Sequence, residues 1–461
     1  MKRIVLTGPR GSGKSTVGRM VARELGVPFI DTDEEIVRYT GQPVEVLFSR
    51  EGEDAFREYE ARVIEGLPGG PLVIATGGGV VCRTENVRAL RRDAMMVFLS
   101  ASPAVLAART RGSTRPPLTG LSHDEEVAAV LAHRLNRYRA AADVCLQTDE
   151  GTPEIQARMI CDAADNGPLA ARAIPGFLSF LEGTRIPEAE FSLVKSRLDK
   201  GPSWHNGLFA VIGNPCLHSM SPAVFNPLFV KYRLDAHYTR MEHEDLAAIM
   251  AQFTTTSMKG LSVTIPFKQE VMRFCDEVHP DAHAIGAVNT VVQCGGHITG
   301  SNTDWLGIRR PLEGTPPGEA VVFGAGGAAY AAIYALASLG CGVTVLNRTA
   351  GRAREAGRRF DVAYGVPDDY KADAFDIIIN ATSVGMGGAL PPLLRRDRMH
   401  EGQTVFDLVY TPPETPLIME AQAAGCTCIR GTELFVHQAC AQFEWFTGIA
   451  VGADEVRELI G

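Results

Sequence analysis

Two glycine-rich loops in this chain have the residue types needed to bind phosphate groups, in two different ways. The first has the sequence Gly8-Pro9-Arg10-Gly11-Ser12-Gly13-Lys14-Ser15 and follows the apolar run Ile4-Val5-Leu6. The second has the sequence Gly324-Ala325-Gly326-Gly327-Ala328-Ala329 and follows Ala320-Val321-Val322-Phe323. A G-x-x-x-x-G-K-S loop cradles a nucleoside triphosphate in backbone N–H groups, whereas a G-x-G-x-x-A loop brings a helix N-terminus against a dinucleotide pyrophosphate. The chain therefore carries signatures of phosphoryl transfer and of hydride transfer, which predicts a bifunctional enzyme.

The first loop predicts a site for ATP and Mg²⁺. Lys14 is expected to neutralise the β- and γ-phosphates, and the hydroxyl group of Ser15 to hold the metal ion. Further ATP contacts are expected from Gly11, Ser12, Gly13 and Thr16. Asp31-Thr32-Asp33 follows the next predicted strand, where side chains face the nucleotide cleft of a parallel sheet.

More residues after these could bind an anionic acceptor. They are Arg57, the glycines of Thr76-Gly77-Gly78-Gly79, Arg109, the loop 112–120 with Arg115-Pro116, and Arg134 followed by Tyr138. Taken one at a time, each has an ordinary structural explanation. An aspartate can cap a helix, an arginine can be a solvated surface residue, and glycines can serve a tight turn.

Taken together, in this order and spacing, these groups resemble shikimate kinase over roughly residues 1–165. The resemblance implies that Asp33 positions or deprotonates the 3-hydroxyl of shikimate and that Asp31 assists the Mg²⁺ shell. It implies a carboxylate pocket made of Arg57, Gly78, Gly79 and Arg134, which suits the bidentate geometry of guanidinium groups. Arg115 would lie in a lid over the reacting phosphates, and Arg109 near the adenine. The lid, from Arg111 onward, is one residue shorter than in some relatives.

A second ordered set of polar residues begins after residue 206. It contains Ser219 and Ser221 of His218-Ser219-Met220-Ser221-Pro222, then Thr264, Lys268, Asn289, Asp304, Tyr410 and Gln438. Individually, the hydroxyl pairs could be helix caps and Lys268 a surface charge. As a set they resemble shikimate dehydrogenase over about residues 206–461. Ser262 and Phe225 stand where many bacterial relatives have other residues, so the choice between shikimate and quinate is the least determined feature.

The resemblance implies that Lys268 and Asp304 form the catalytic pair. Lys268 would donate a proton to the developing alkoxide as NADPH delivers hydride to 3-dehydroshikimate, and Asp304 would hold and polarise the lysine. Ser219 and Ser221 would bind the substrate carboxylate. The ring hydroxyls would be bound by Thr264, Asn289 and Gln438, with Tyr410 completing the site.

The second glycine-rich loop favours NADP(H) over NAD(H). An NAD site normally has an acidic residue about 20 residues after the loop, on the ribose 2′-hydroxyl. Here Asn347-Arg348-Thr349 occupies that place, and Arg348 can pair with a 2′-phosphate. Predicted cofactor-lining residues are Gly324, Ala325, Gly326, Gly327, Ala328, Asn347, Arg348, Thr349, Thr382, Ser383, Leu408 and Gly431.

The elements that must position these residues indicate an α/β protein. Up to about residue 160 strands and helices alternate, which predicts a parallel sheet covered by helices. The first predicted strands span 4–7, 29–30, 72–75, 95–99 and 144–147. After residue 206, strands are predicted over 209–212, 237–239 and 260–265, and residues 304–306 are expected to close that half. We predict a P-loop domain over 1–165 and a connector over 166–205, in which 188–198 could be helical. A substrate-binding lobe over 206–313 would be completed by 432–461, with a Rossmann-type lobe over 314–431. The stretch 434–447 is expected to pack back on the substrate lobe.

Composition narrows the class of protein. The chain has 461 residues, is 45% hydrophobic and 21% charged, and has a net charge of −9. Without a basic tract, this predicts small-molecule substrates and no nucleic-acid partner. No apolar run approaches the roughly 20 residues of a membrane span, and no signal peptide is recognised. The ten cysteines are interpreted as reduced thiols of a cytoplasmic protein.

Two other functions are open to the same pattern. A fusion of kinase-like and dehydrogenase-like domains could serve as a ligand-binding regulatory sensor, which should lose catalytic side chains while keeping the fold. The dehydrogenase could also act on quinate, which NAD preference would support. Retention of Lys14, Ser15, Asp33, Arg115, Lys268 and Asp304 favours a bifunctional enzyme of aromatic amino-acid biosynthesis.

Overall fold

Three β-sheets follow one another along the chain. The structure, a computed structural model, describes residues 3–112, 121–149, 151–166, 174–199, 207–256 and 258–460. We call residues 3–166 the first unit, 174–312 the second unit and 319–429 the third unit. No helix in these described stretches is long and apolar enough to cross a membrane.

The first unit is a five-stranded parallel sheet with the strand order β2-β3-β1-β4-β5. The strand–helix alternation predicted from the sequence is confirmed, because each of the five predicted strands overlaps an observed one. Its elements are β1 (Arg3–Thr7), α1 (Lys14–Leu25), β2 (Phe29–Asp31), α2 (Thr32–Thr40), α3 (Val44–Glu65), β3 (Val73–Ala75), α4 (Thr84–Arg91), β4 (Ala94–Ser100), α5 (Pro103–Thr110), α6 (His123–Ala141), β5 (Val144–Gln147) and α7 (Pro153–Asn166).

The second unit is a six-stranded mixed sheet in the order β7-β6-β8-β10-β11-β9. The strands predicted over 209–212, 237–239 and 260–265 each overlap an observed strand. Residues 304–306, which were grouped with these strands as the end of this half, instead begin a helix, and strands β9, β10 and β11 were not predicted. Its elements are α8 (Ile174–Glu182), α9 (Glu188–Asp199), β6 (Gly207–Gly213), α10 (Ser221–Lys231), β7 (Ala236–Glu242), α11 (Leu246–Thr255), β8 (Met258–Val263), β9 (Glu277–Val278), α12 (Pro280–Ile285), β10 (Thr290–Cys294), β11 (His297–Ser301) and α13 (Asp304–Leu312).

Helices α8 and α9 lie within the stretch predicted as a connector and belong to the core of the second unit. Phe177 and Leu181 of α8 and Val194 of α9 are buried against residues of β6, β8 and α11. The helix allowed for at 188–198 is confirmed as α9, whereas α8 was not predicted. The described part of this stretch is therefore packed structure, attached to the second unit.

The third unit is a six-stranded parallel sheet in the order β14-β13-β12-β15-β16-β17. This is a doubly wound arrangement, which places loops after β12 and β13 at one edge. Its elements, with the two C-terminal helices, are β12 (Glu319–Phe323), α14 (Gly327–Ser338), β13 (Gly342–Leu346), α15 (Ala350–Phe360), β14 (Ala363–Gly365), β15 (Ile377–Asn380), β16 (Thr404–Asp407), α16 (Pro416–Ala423), β17 (Thr427–Ile429), α17 (Gly431–Thr447) and α18 (Ala453–Ile460).

Helix α17 returns to the second unit, as predicted for 434–447. The ring of Phe446 lies 5.0 Å from that of Phe209 on β6, and Phe443 packs on Phe229 of α10 at 5.7 Å between ring centroids. Gly307 of α13 fits against α17 because a Cβ there would lie 2.6 Å from the carbonyl oxygen of Leu434. The close packing fixes the face of α17 that points into the second unit.

The first and second units share an interface with both apolar and charged contacts. Tyr138 and Ala141 of α6 belong to the same apolar cluster as Phe443 and Phe446. The Lys259 ammonium lies 2.5 Å from Asp143 Oδ1, and Arg139 Nη1 lies 2.6 Å from Glu277 Oε2. Burial acts to raise the pKa of Asp143, but Lys259 and Arg91 together hold it below its ordinary value.

A disulfide bond also crosses this interface, which corrects the interpretation of all the cysteines as reduced thiols. It joins Cys145 of β5 to Cys294 of β10 across a sequence separation of 149 residues. The interpretation failed because the pairing depends on the docking of two units and leaves no spacing signal in the sequence. The other cysteines of the described residues are free.

Cys145→Ser is expected to lower the thermal midpoint Tm of the oxidised protein, because a cross-link over a long loop is worth about 2–4 kcal/mol. Reductant should lower the Tm of the parent protein toward that of the variant and leave the variant unchanged. Cys341→Ser, which removes a free thiol of the third unit, is the control and should keep the reductant-dependent drop. A parent Tm that does not respond to reductant would contradict the cross-link.

Two candidate active sites

The loop between β1 and α1 has the backbone conformation of a phosphate cradle. Gly8, Gly11 and Gly13 have φ values of 144°, 82° and 91°. A Cβ at Gly8 would lie 2.3 Å from the carbonyl oxygen of Leu99, so only glycine fits there. Helix α1 begins at Lys14, whose Nζ donates to the Pro9 carbonyl at 2.7 Å. The loop therefore directs a helix N-terminus and a lysine toward one point, as an anion site requires.

Two side chains whose oxygen atoms are expected to bind Mg²⁺ lie next to this loop. Ser15 Oγ donates to Asp31 Oδ2 at 2.6 Å, and Asp31 Oδ1 accepts from the Asp33 N–H at 3.0 Å. Hydroxyl and carboxylate oxygens are the ligands that Mg²⁺ prefers, with water and phosphate filling the remaining positions. The two side chains therefore fit the metal role predicted for them.

A cavity of about 310 Å³ opens beside the loop and gathers most of the predicted acceptor residues. Asp33, Arg57, Gly78, Gly79 and Arg134 all line it. The guanidinium group of Arg134 and the hydroxyl group of Tyr138 both donate to the Gly78 carbonyl. Of the predicted residues, one carboxylate, Asp33, and two guanidinium groups, Arg57 and Arg134, thus line a single cavity, which suits a small polyol that bears a carboxylate.

Glu60 is a buried residue of this cavity that sequence reasoning missed. It is 0% exposed, and both of its oxygens accept from Arg57 Nη1, at 3.1 and 3.0 Å. Burial raises its pKa, while Arg57 acts in the opposite direction. Its position one helical turn after Arg57 is the signal that could have identified it. Glu60 therefore fixes the Arg57 guanidinium together with Glu53, whose Oε1 accepts from Arg57 Nη2 at 2.9 Å.

Of the two arginines predicted to contact the nucleotide, Arg109 is described by the structure and Arg115 is not. Arg109 Nη2 donates to the Thr148 carbonyl at 2.7 Å and its Nη1 to the Gly11 carbonyl at 3.3 Å, which holds it against the phosphate loop. Arg115 and the lid around it lie outside the described residues. The adenine and lid roles stay predictions.

In the second unit, Lys268 and Asp304 form the ion pair that the sequence predicted. Lys268 Nζ lies 2.6 Å from Asp304 Oδ2, and the two side chains are 22% and 10% exposed. Asp304 is the first residue of α13, where the partial positive charge of the helix N-terminus favours a carboxylate. A Cβ built on Gly327, at the start of α14, would lie 4.0 Å from Lys268 Cδ. The second glycine-rich loop is therefore adjacent to this pair.

A chain of buried hydrogen bonds fixes Asp304. Asn289 Nδ2 donates to Asp304 Oδ1 at 2.8 Å, and Gln442 Nε2 donates to the Asn289 carbonyl at 3.1 Å. Ser262 Oγ donates to Gln442 Oε1 at 2.9 Å. Gln442 was missed in the sequence, although it lies four residues after Gln438 on the same helix and therefore on the same face. The network leaves Asp304 and Asn289 little freedom to move.

The remaining predicted substrate residues surround this network. Ser219 Oγ donates to Ser221 Oγ at 3.1 Å, at the start of α10. Burial raises the pKa of Tyr238, and the hydroxyl groups of Ser262 and Ser221 beside it offset part of the rise. Burial and the nearby Asp304 raise the pKa of Tyr410. Thr264 directly follows β8, and Gln438 on α17 is 8% exposed.

The loop after β12 fits a dinucleotide pyrophosphate. Gly324 has φ 121°, and a Cβ there would lie 2.7 Å from the Ala381 carbonyl oxygen. Ala325 and Gly326 lead into α14, which begins at Gly327 and continues through Ala328. Asn347, Arg348 and Thr349 follow β13, and Arg348 is exposed.

The other predicted cofactor residues follow the neighbouring strands. Thr382 Oγ1 donates to Asn380 Oδ1 at 2.6 Å, and the Leu408 N–H donates to the Asn380 carbonyl at 3.0 Å. Ser383 follows Thr382 after β15. Gly431 begins α17, and a Cβ there would lie 2.4 Å from the Val409 carbonyl oxygen. These residues supply a surface on which a nicotinamide dinucleotide can lie, next to Lys268.

The fold and the two sites define a nucleotide-dependent kinase module joined to a dinucleotide-dependent oxidoreductase. Comparison with protein families makes this specific. Residues 10–165 match the shikimate kinase family, residues 211–291 the shikimate dehydrogenase substrate binding domain, and residues 431–460 the shikimate 5′-dehydrogenase C-terminal domain.

Individual relatives agree with these matches. A shikimate dehydrogenase (NADP(+)) from Maridesulfovibrio salexigens is 38% identical over 261 residues, which are 55% of this chain and 96% of the relative. The chain belongs to the shikimate dehydrogenase family and carries, at its N-terminal end, a domain of the shikimate kinase family.

Solved structures resemble the same part of the chain. Shikimate 5-dehydrogenase from Thermus thermophilus, in complex with NADP(H) and shikimate, is 32% identical with a TM-score of 0.51, covering 55% of this chain and 98% of that one. Quinate dehydrogenase from Corynebacterium glutamicum, in complex with NAD, is 30% identical with a TM-score of 0.53, covering 55% and 98%. The fold alone therefore does not separate shikimate from quinate.

Proposed function

We propose that this chain is a bifunctional enzyme of the shikimate pathway, and hence of aromatic amino-acid biosynthesis. One site reduces 3-dehydroshikimate to shikimate with NADPH, and the other phosphorylates shikimate to shikimate 3-phosphate with ATP and Mg²⁺. The observation that carries the proposal is the presence of both sets of site residues in one chain. Lys268 and Asp304 are 2.6 Å apart beside the dinucleotide loop, and Asp33, Arg57 and Arg134 share a cavity beside the phosphate loop.

In the proposed dehydrogenase reaction, bound NADPH would supply a hydride to the carbonyl carbon of the substrate. Lys268 holds the proton that the carbonyl oxygen needs as it becomes a hydroxyl group, and Asp304 keeps the ammonium in place. Asn289 holds the second oxygen of Asp304, so that the carboxylate cannot turn away from Lys268. Ser219 and Ser221 would bind the substrate carboxylate at the other end of the site.

In the proposed kinase reaction, the 3-hydroxyl of shikimate attacks the γ-phosphate of ATP, and its proton passes to Asp33 or to solvent. Lys14 offsets the charge on the transferring group, while Arg57 and Arg134 orient the acceptor through its carboxylate. Catalysis then rests on positioning and electrostatics, since the protein forms no covalent intermediate in this scheme.

The proposed domain limits follow from the assignment of one reaction to each module. We assign 1–165 to the kinase, 206–313 with 432–461 to the dehydrogenase substrate lobe and 314–431 to the NADP lobe. Residues 166–205 lie between the kinase and the substrate lobe, and α8 and α9 within them pack on the substrate lobe. A cytoplasmic location is proposed because both reactions consume soluble nucleotides. The Cys145–Cys294 bond is the feature that argues against a fully reduced chain.

A coupled assay tests the function directly. Purified protein, 3-dehydroshikimate, NADPH and MgATP should yield shikimate 3-phosphate, with shikimate accumulating when ATP is omitted. A regulatory sensor would bind these ligands without turnover. Faster oxidation of quinate with NAD than of shikimate with NADP would instead favour the quinate-directed alternative.

Gly79→Ala should impair the kinase alone. The residue has an ordinary φ of −104°, but a Cβ would lie 2.0 Å from Arg57 Nη2. The methyl group would displace the Arg57 guanidinium from Glu60. Because the misplaced guanidinium could no longer orient the substrate carboxylate, the KM for shikimate in phosphorylation should rise by about 10- to 100-fold. Gly69→Ala, at an exposed position with open space around its Cβ, is the matched control. An unchanged KM in the Gly79 variant would remove Arg57 from the acceptor site.

Arg348→Ala should raise the KM for NADPH much more than that for NADH. A charge-assisted contact to the 2′-phosphate is worth about 1.5–3 kcal/mol, which NADH cannot lose. Arg358→Ala, on the exposed face of α15, should affect neither cofactor. Equal changes in both KM values for the Arg348 variant would remove Arg348 from the 2′-phosphate site.

A further inference from the structure

One face of β7 supports the loop that carries the predicted carboxylate-binding serines. Tyr238, Arg240 and Glu242 alternate along the strand and therefore share a face. Arg240 Nε donates to the Ser219 carbonyl at 2.9 Å. Glu242 Oε2 accepts from the backbone N–H groups of Cys216 at 2.8 Å and Leu217 at 3.3 Å. The N–H of Cys216 is the leading influence that holds the pKa of Glu242 below its ordinary value.

Two residues of the segment between the modules contact the Arg240 and Glu242 side chains. Arg185 pairs with Glu242 through two backbone hydrogen bonds of 3.0 Å, and its Nη1 donates to Glu242 Oε1 at 3.0 Å. Glu190 of α9 accepts from the Arg240 guanidinium through Oε1 and from the Arg240 N–H at 2.9 Å through Oε2. Strand β7 lies at the edge of its sheet. Arg185 therefore pairs with an open strand edge, and Arg185 and Glu190 place one positive and one negative charge beside it.

The Glu190–Arg240 pair is the more sheltered of the two connections. The side chains of Glu190 and Arg240 are 15% and 20% exposed, whereas that of Arg185 is 73% exposed. A surface pair contributes little, but a partly buried pair holds its members in place because each side chain has lost water whose interactions its partner replaces. The Glu190 carboxylate therefore holds the Arg240 guanidinium group in place, and Arg240 in turn holds the backbone at Ser219.

We propose that Glu190 is a positioning residue for the dehydrogenase substrate, acting through Arg240 on the Ser219–Ser221 hydroxyl pair. The inference rests on the proposed dehydrogenase function. It adds that α9, which lies between the modules, helps to position the substrate in that site. Neutral hydroxyl groups bind a carboxylate well only when both are held at one spacing before it arrives. Holding the carbonyl of Ser219 keeps Ser219 Oγ at its 3.1 Å distance from Ser221 Oγ.

Glu190→Gln provides the test because it replaces an acceptor with an amide NH₂ group that cannot accept from Arg240. The variant should raise the KM for 3-dehydroshikimate by about tenfold, the worth of one charge-assisted hydrogen bond. Its kcat should stay near that of the parent, because Lys268 and Asp304 are not displaced. Phosphorylation of shikimate by the kinase site should not change.

Three further variants separate positioning from general stabilisation. Arg240→Lys keeps the charge but cannot reach Glu190 and the Ser219 carbonyl together, so its KM should rise as well. The double variant should be little worse than the more affected single one, because the two residues act in series. Arg197→Gln removes an ion pair from the same helix, to Asp235 at 2.7 Å, without touching the serine loop. This control should keep the parent KM, even where its Tm falls.

The outcomes are distinguishable from a failure of the proposed function. A parent protein without dehydrogenase activity would overturn the function itself. An active parent whose Glu190→Gln and Arg240→Lys variants are folded and keep the parent KM would overturn the inference alone. An equal rise in KM for Arg197→Gln would also overturn it, since the effect would then belong to the helix as a whole.

Discussion

Lys268→Ala is expected to lower kcat for the reduction of 3-dehydroshikimate by about 10²–10⁴, the usual worth of a positioned general acid. Its ammonium is 2.6 Å from Asp304 and next to the dinucleotide loop, so its loss removes the proton source at the reacting carbonyl. The KM for 3-dehydroshikimate should change far less, because the carboxylate and ring contacts come from other side chains. Steady-state kinetics with NADPH and 3-dehydroshikimate measure both constants.

Companion variants define what the Lys268 result means. Asp304→Asn keeps the shape of the side chain and removes its charge, so kcat should fall there too. The double variant should be little worse than either single one if the two residues act as a unit. Lys231→Ala removes a lysine that pairs with Glu455 on the surface and should leave kcat unchanged. A near-normal kcat for a folded Lys268→Ala protein would move the acid role to another group.

The position of a residue in the fold could be predicted from the sequence where a motif ties the residue type to the end of a strand. The phosphate loop, Lys268 and the second glycine-rich loop each follow a buried strand, and that alone fixes which edge of the sheet they occupy. The prediction of a Lys268–Asp304 pair also needed the resemblance, since the two residues are far apart in sequence. The 2.6 Å distance between them agrees with that expectation.

Elements without a motif were harder to predict. The stretch that forms α8 contains Pro175, one of the prolines that suggested a connector, yet proline in the first turn is compatible with a helix. Pro187 likewise directly precedes α9. Strands β10 and β11 form a hairpin around Gly295 and Gly296, a turn signal that was present in the sequence and not used.

Features that depend on the docking of units had no local signal. Cys145 and Cys294 meet only because β5 and β10 lie side by side across the interface. Glu190 resembles any surface glutamate on a helix until Arg240 and Ser219 are placed near it. These residues can be interpreted only from three-dimensional contacts, because their spacing in the chain carries no chemical meaning.

Lys14→Ala should reduce phosphorylation of shikimate by about 10²–10³ or more, as for loss of a group that stabilises transition-state charge. Lys14 begins α1, is 9% exposed, and its Nζ donates to Pro9 within its own loop. The substitution therefore removes the cation beside the phosphates while the glycine-determined shape of the loop is kept. Initial rates with MgATP and shikimate, with a thermal melt to verify folding, measure the effect.

The same variant tests whether the two sites are chemically independent. The phosphate loop lies at one end of the first-unit sheet, whereas contacts to the second unit come from α4, α6, β5 and neighbouring groups such as Asp143. Reduction of 3-dehydroshikimate by NADPH should therefore continue at the parent rate. Arg38→Ala removes an exposed cation that pairs only locally with Glu35, and should leave both activities intact. If a folded Lys14→Ala protein lost both activities, the interface would have to carry a catalytic dependence between the sites, and the assignment of one reaction to each module would fail.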